Sequence, residues 1–117
     1  MAENDLMTMR QLVSFRTQSG IQSVARKDIL HLESKSHLLI IHTTENEYTI
    51  YEKLSAVLEK LSCDFVQCHK SFAVNLRQIQ RISAKEVCLK NGTVLPVSRA
   101  QTKKMKDAYL AFIGHDL

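Results

Sequence analysis

Three nitrogen-bearing side chains stand where the sequence pattern indicates exposed turns. His37 follows the polar run 34–36 and precedes an apolar run, Lys70 sits at the entrance of a strand-like segment, and Arg99 opens a helical pattern. An imidazole on a loop tip can donate or accept a hydrogen bond at a base edge, and a lysine can contact guanine or phosphate. The ordinary alternatives are a solvated loop histidine, a surface lysine and a first-turn arginine. The functional interpretation is a surface that binds nucleic acid.

Arg99 is the most informative of the three. Ser98 and Gln101 have the spacing of a capping box, which predicts that Arg99 is the first residue of a capped helix. The helix dipole disfavours a cation at that position. We therefore expect Arg99 to have an anionic partner or a functional role.

The stretch 67–75 supplies the element that positions Lys70. Phe72 and Val74 alternate with smaller or polar neighbours, which predicts a strand with one buried face. His69 and Lys70 form a polar pair at its entrance, where a purely structural strand needs none. We expect this strand to present Lys70 to a nucleic acid.

The charge balance agrees with a polyanionic partner. The chain has 117 residues, a length typical of one domain, and a formal net charge of +4. Glutamates at 45, 47, 52 and 59 lie apart from the basic positions, and a one-sided basic distribution is typical of nucleic-acid binding. The basic positions are Arg26, Lys27, Lys70, Arg77, Arg81 and the segment 99–106.

The sequence argues against several other classes of protein. Its three cysteines include no CxxC pair, which speaks against a structural zinc site or a disulfide framework. Free thiols are the favoured prediction, and a single Cys68–Cys88 disulfide is the alternative that the sequence leaves open. No phosphate loop, HExxH motif or nucleophile elbow occurs, so we expect neither an enzyme nor a cofactor. Without a long apolar run or a signal peptide, a soluble, cytoplasmic protein is expected.

Strand patterns dominate the chain. A hairpin is predicted over 12–24 with its turn at 18–20, and the apolar run 38–43 predicts a strand buried on both faces. The Asn91-Gly92 pair predicts a two-residue hairpin turn, and Pro96 predicts an edge strand. His31 and His42 lie inside strand patterns, where we expect partly buried, hydrogen-bonded side chains.

Two amphipathic helices complete the prediction. The first has an apolar stripe at 54, 57, 58 and 61, and the second a stripe at 105, 108, 109 and 112 that ends near Gly114. With roughly eight to ten short strands, the fold class is mainly β with two helices. Residues 1–11 are predicted to be a leader or linker remnant, and residues 12–117 the domain.

From about Leu12 to Phe112 the sequence resembles the LytTR-type DNA-binding domain, the output domain of LytR/AgrA-like response regulators. The matching text is Asp28–Ser34 with Ser36 and His37, Phe65–Asn75 with its His-x-Ser-Phe-x-Val-Asn core, Lys90–Gly92, and Leu95–Arg99 with its Pro-Val-Ser-Arg ending. The resemblance implies an elongated stack of small, mostly antiparallel β-sheets with flanking helices. It also implies that loops, rather than a recognition helix, bind DNA.

The resemblance assigns roles to particular residues. Base-reading side chains would be His37, Lys70 and Arg99. The family varies between Arg, Lys and Asn at the middle position, which leaves the base preference of Lys70 open. Contacts to the DNA backbone would come from Lys35, Ser71 and Lys103.

The resemblance also implies partners. These are double-stranded DNA carrying promoter direct repeats, a second copy of the domain bound beside the first, and a phosphoacceptor receiver domain ahead of this region. Residues 1–11 cannot supply that receiver domain. The expected function is sequence-specific transcriptional regulation in a bacterial two-component system.

Two rival functions are weighed against this one. An RNA- or single-strand-binding β-module needs exposed aromatic side chains for stacking, whereas the chain has no Trp and its Phe and Tyr residues mostly fit apolar stripes. A protein-interaction domain with an incidentally basic surface is the other rival.

Overall fold

The computed structural model describes residues 11–61 and 64–114, so nearly all of the predicted leader, Cys63 and His115 lie outside the described residues. The strands and helices, in chain order, are β1 (Leu12–Thr17), β2 (Gly20–Ala25), β3 (Ile29–Lys35), β4 (Leu38–Thr43), β5 (Glu47–Ile50), α1 (Leu54–Leu61), β6 (Phe65–His69), β7 (Phe72–Asn75), β8 (Ile79–Ile82), β9 (Glu86–Leu89), β10 (Val94–Pro96) and α2 (Thr102–Ile113). The prediction of a mainly β fold with two helices is confirmed.

A five-stranded antiparallel sheet with the order β5-β4-β3-β7-β6 forms the middle layer. The β1–β2 hairpin and α1 pack on one face, and the sheet β10-β9-β8 and α2 pack on the other. Neighbouring residues of β7 accordingly join different cores, since Ala73 and Val74 point to opposite faces. The body measures 39 × 39 × 24 Å. The predicted stack of small antiparallel sheets with flanking helices is confirmed.

Within the stretch 67–75, the strand that the alternation predicted is β7, and it forms the second arm of a hairpin. β6 ends at His69, residues 70 and 71 form the turn, and β7 starts at Phe72. Both faces of β7 are covered, so Ala73, Val74 and Asn75 are all buried and the predicted exposed face does not exist. For β4, the prediction of a strand buried on both faces was wrong. Leu39 and Ile41 are buried, while the alternate residues 38 and 40 are only half-buried.

The turns follow the sequence with one change. Thr17 pairs with Gly20 across the first hairpin, as predicted. At the β9–β10 turn only Gly92 has a positive φ, of 94°, whereas a type I′ turn requires it at Asn91 as well. Leu89 N–H instead donates to Thr93 O at 2.8 Å, which closes a three-residue loop. Pro96 lies on an edge strand, as predicted.

Both predicted helices form, but the second has a different start. Three residues of the α1 stripe are buried and Leu58 is partly buried, while α2 ends at Ile113 and is capped by Gly114, whose φ of 81° suits glycine. Ser98 makes no side-chain cap, and residues 99–101 form a 3₁₀ turn ahead of α2. The hydroxyl of Thr102 bridges instead, since it donates to Ser98 O at 3.1 Å and to Ala84 O at 3.2 Å. Arg99 therefore lies outside the α-helix proper.

The histidine pair on β3 and β4 was predicted half correctly. The rings of His31 and His42 stack at 4.1 Å, and His42 contacts the carboxylates of Glu33 at 3.0 Å and Glu47 at 3.3 Å. The Nδ1 atom of His31 is buried without a hydrogen-bond partner, so the expectation of a satisfied side chain is wrong there. Burial, helped by His42, lowers the pKa of His31 to about 4.

Cys68 and Cys88 are both free thiols, so the bridge left open by the sequence is not formed. Burial raises the pKa of the Cys68 thiol to about 12, which keeps it protonated and poorly nucleophilic at neutral pH. Within residues 11–61 and 64–114 no helix combines the length and the apolar character needed to cross a bilayer.

Candidate nucleic-acid interface

Two of the predicted contact residues lie on neighbouring turns because β3 and β7 are antiparallel partners. Lys35 pairs with Leu38, so residues 36 and 37 form the β3–β4 turn. Ser34 N–H donates to Ser71 O at 2.8 Å, which places the end of β3 beside the β6–β7 turn. The turns that carry His37 and Lys70 therefore share one end of the central sheet.

The segment that carries Arg99 joins the same end. Ser98 N–H donates to Cys68 O at 2.8 Å, on the edge strand β6 and two residues before Lys70. Strands lie about 4.8 Å apart, so the row from His37 through Lys70 to Arg99 spans roughly 15–20 Å. The fold brings together three positions that are far apart in the sequence.

The backbone of the first turn is constrained. Ser36 has a φ of 57°, and it is the only non-glycine residue with positive φ among those that the structure describes. Glycine is favoured at such a position because a side chain is strained there. The conformation leaves His37 exposed at the tip of the turn.

His69 shapes the second turn, a role that the sequence analysis missed. Its Nδ1 accepts a hydrogen bond from Ser71 N–H at 3.1 Å, and its ring packs at a tilt on Phe72 with centroids 5.9 Å apart. Lys70 between them is exposed. The sequence feature that could have predicted this role is a polar side chain two residues before the N–H that it bonds, a spacing at which a side chain can close a turn.

The three predicted backbone-contact residues differ in their availability. Lys35 is exposed at the end of β3. The N–H and C=O of Ser71 are bonded to His69 and Ser34, so its hydroxyl is the group left for a phosphate. Lys103 pairs with Asp107 at 3.2 Å, but the side chains are 91% and 62% exposed, and such a pair contributes little and is readily exchanged.

The carboxylates that border the turns of the central sheet lie at one of its ends, the acidic end. The turns at 35–38, 69–72 and 97–101 contain no Asp or Glu. At the opposite end, Asp28 precedes β3, Glu45 and Glu47 border the β4–β5 turn, and Asp64 precedes β6. A polyanion that approaches the three turns therefore meets no carboxylate from the turns themselves.

The basic residues grouped in the sequence are not all on one side. Arg26 and Arg77 lie at the acidic end and contact Asp64, each at 3.7 Å. Lys70 and Arg99 are exposed, and neither makes an ion pair with the residues described. The cations at the three turns are therefore available to a ligand.

Comparisons with known proteins agree with this arrangement. The family model described as the LytTr DNA-binding domain matches residues 19–109. The sensory transduction protein LytT of Bacillus subtilis is 32% identical over 93 residues, covering 74% of this chain and 39% of the relative. Accessory gene regulator protein A of Staphylococcus epidermidis is 38% identical over 97 residues, covering 80% of this chain and 40% of the relative.

A solved structure has the same fold. It is described as the LytTr DNA-binding domain of a methyl-accepting/DNA response regulator from Bacillus cereus, and it matches with a TM-score of 0.73 at 24% identity, covering 84% of this chain and 95% of the other. The chain spans about two fifths of the length of the curated relatives that it matches.

Proposed function

This chain belongs to the LytTr DNA-binding domain family, and we propose that its three turns at one end of the central sheet form the surface that binds double-stranded DNA. The observation that carries the proposal is the pair of backbone hydrogen bonds, Ser34 to Ser71 and Ser98 to Cys68, which hold the turns in one row. Turns fixed to a sheet can place side chains with the precision that base reading needs.

The side chains divide into two roles. His37, Lys70 and Arg99 read base edges in the major groove, where a guanidinium can bond to both acceptors of guanine and an ammonium can reach one of them. Phosphate contacts from Lys35, Ser71 and Lys103 fix the register of the protein on the duplex and carry no sequence information. The named residues are those of the family pattern. The exposure of Lys35, His37, Lys70, Arg99 and Lys103 supports the assignment, whereas Ser71 is half-buried.

We propose that the whole protein acts as a cytoplasmic, bacterial transcriptional regulator of a two-component system. The relatives named as a sensory transduction protein and an accessory gene regulator support this, and they are more than twice as long as the matched region. A receiver domain elsewhere in the protein and promoter direct repeats occupied by two copies belong to the same proposal.

The rival RNA- or single-strand-binding function finds no support in the three turns. Stacking on Phe or Tyr requires exposed rings, and Phe72, the one Phe or Tyr among residues 35–38, 69–72 and 97–101, packs against the core.

Two substitutions test the division of roles. Duplexes selected from a random pool give a preferred site, and binding is then measured on that site and on scrambled DNA at several salt concentrations. Arg99→Ala is expected to reduce discrimination by about 1–3 kcal/mol at one base pair. Lys103→Ala is expected to weaken both duplexes equally and to lower the salt slope by about one.

An unchanged ratio of site to scrambled affinity in Arg99→Ala would remove Arg99 from base reading. Equal affinity of the wild-type domain for every duplex in the pool would overturn sequence-specific binding as a whole.

A further inference from the structure

We propose that a fourth turn, residues 83–85 between β8 and β9, extends the DNA-binding surface, and that the Lys85 ammonium binds a backbone phosphate beside the site of Arg99. The inference rests on the proposed function, and it concerns a residue outside the three turns already assigned. It follows from how this turn is joined to the segment that carries Arg99.

The fourth turn is bonded to that segment on both sides of Arg99. Val97 N–H donates to Lys85 O at 2.9 Å, and the Thr102 hydroxyl donates to Ala84 O at 3.2 Å. Val97 precedes Arg99 by two residues and Thr102 follows it by three. The position of the Lys85 backbone is therefore fixed relative to Arg99.

Backbone hydrogen bonds tie the segment ahead of Arg99 to two turns. The N–H groups of the consecutive residues Val97 and Ser98 donate to two different segments. One bonds to Lys85 and the other to Cys68 of β6. The segment that carries Arg99 is thus bonded both to β6, which leads into the turn of Lys70, and to the turn of Lys85.

The fourth turn is closed by hydrogen bonds between Ser83 and Glu86. Ser83 N–H donates to Glu86 O at 2.9 Å, and the Ser83 hydroxyl accepts from Glu86 N–H at 3.2 Å. Lys85 is exposed, and it has no ion pair within the described part of the chain. The neighbouring carboxylate of Glu86 is engaged by Arg81 at 3.7 Å.

A phosphate is the ligand that suits Lys85. An ammonium on a flexible stem acts as a point charge without the planar fork that reads guanine. In the row of hydrogen-bonded turns, Lys85 comes after Arg99, at the outer end. Its charge would therefore meet the DNA backbone next to the base pairs that the three turns read. Lys85 would then fix the register of Arg99 on the duplex.

The chain contains a matched control for Lys85. Lys85 precedes β9 and Lys90 follows it, roughly 15 Å away. Lys90 is likewise exposed and has no ion pair among the described residues. Neither lysine packs in a core, so Lys85→Ala and Lys90→Ala are both expected to fold.

The test is the affinity of wild type, Lys85→Ala and Lys90→Ala for the selected site and for scrambled DNA, over a range of salt concentrations. Lys85→Ala is expected to weaken both duplexes by the same factor, about fivefold near physiological salt, and to lower the salt slope by about 0.9. Lys90→Ala is expected to match wild type in affinity and slope.

Two results would overturn the inference. If Lys85→Ala behaves like Lys90→Ala while Arg99→Ala loses discrimination, the fourth turn does not bind DNA although the three-turn surface does. If Lys85→Ala changes the ratio between the two duplexes, its contact is to a base and not to a phosphate. Failure of the proposed function itself is a separate result, in which wild type has no preferred duplex.

Discussion

At the scale of single residues, Asn75 links the two segments that border the acidic end of the sheet. Its Nδ2 donates to Arg26 O at 3.2 Å and to Ile29 O at 2.8 Å, and its Oδ1 accepts from Arg77 N–H at 3.0 Å. The side chain is fully buried. It is the last residue of the family's strand motif, and its role here is structural because it satisfies three backbone groups at the end farthest from the proposed DNA surface.

Asn75→Ala is expected to lower the free energy of unfolding by about 2–3 kcal/mol, because buried backbone groups lose their partners. Gln78→Ala is the matched control, since its Nε2 donates to Lys27 O at 2.7 Å in a more exposed position and joins the same two segments. Its expected loss is below about 1 kcal/mol. Urea unfolding of both variants measures the difference, and equal losses would contradict the assignment.

At the scale of strands, the stacked histidines of β3 and β4 make stability depend on pH. The folded pKa of His31 is about 4, below its ordinary value of 6.5, because burial and His42 disfavour the charged ring, while Glu33 partly opposes them. Between these two values the unfolded chain binds a proton that the folded chain does not. The neutral His31 ring therefore contributes its full share of the unfolding free energy above pH 6.5, and this share is lost as the pH falls towards 4.

The expected loss over this range is about 3 kcal/mol for wild type. His31→Phe keeps an aromatic ring on β3 and removes the titration, so its unfolding free energy should vary much less between pH 7 and pH 4.5. Urea midpoints at several pH values measure this. The same pH dependence in both proteins would show that His31 is not its source.

The local sequence pattern predicted where strands form, but it did not predict which face of each strand is buried. The alternation around Phe72 indicates a strand correctly but gives no information about the small sheet that covers its other side. The capping pattern at Ser98 failed because the hydroxyl of Thr102, three residues after Arg99, supplies the bridge to Ala84 and Ser98. Both errors arise from contacts between segments that are distant in the sequence.

At the scale of the whole molecule, the strand order creates the proposed site. β3 pairs with β7 although α1 and three strands separate them in the chain, and this pairing sets His37 beside Lys70. The residue types could be chosen from the sequence, and the resemblance supplied their roles. Only the pairing shows that they share one end, opposite the carboxylates of Asp28 and Glu45.

The most direct test is an amide NMR titration of the domain with a duplex selected from a random pool. The account predicts that the largest shifts fall on the amides of Ser36, His37, Lys70, Ser71 and Arg99. The β4–β5 turn, residues 44–46, at the opposite end should keep its positions. Shifts concentrated on that acidic turn, with the three basic turns unchanged, would contradict the account.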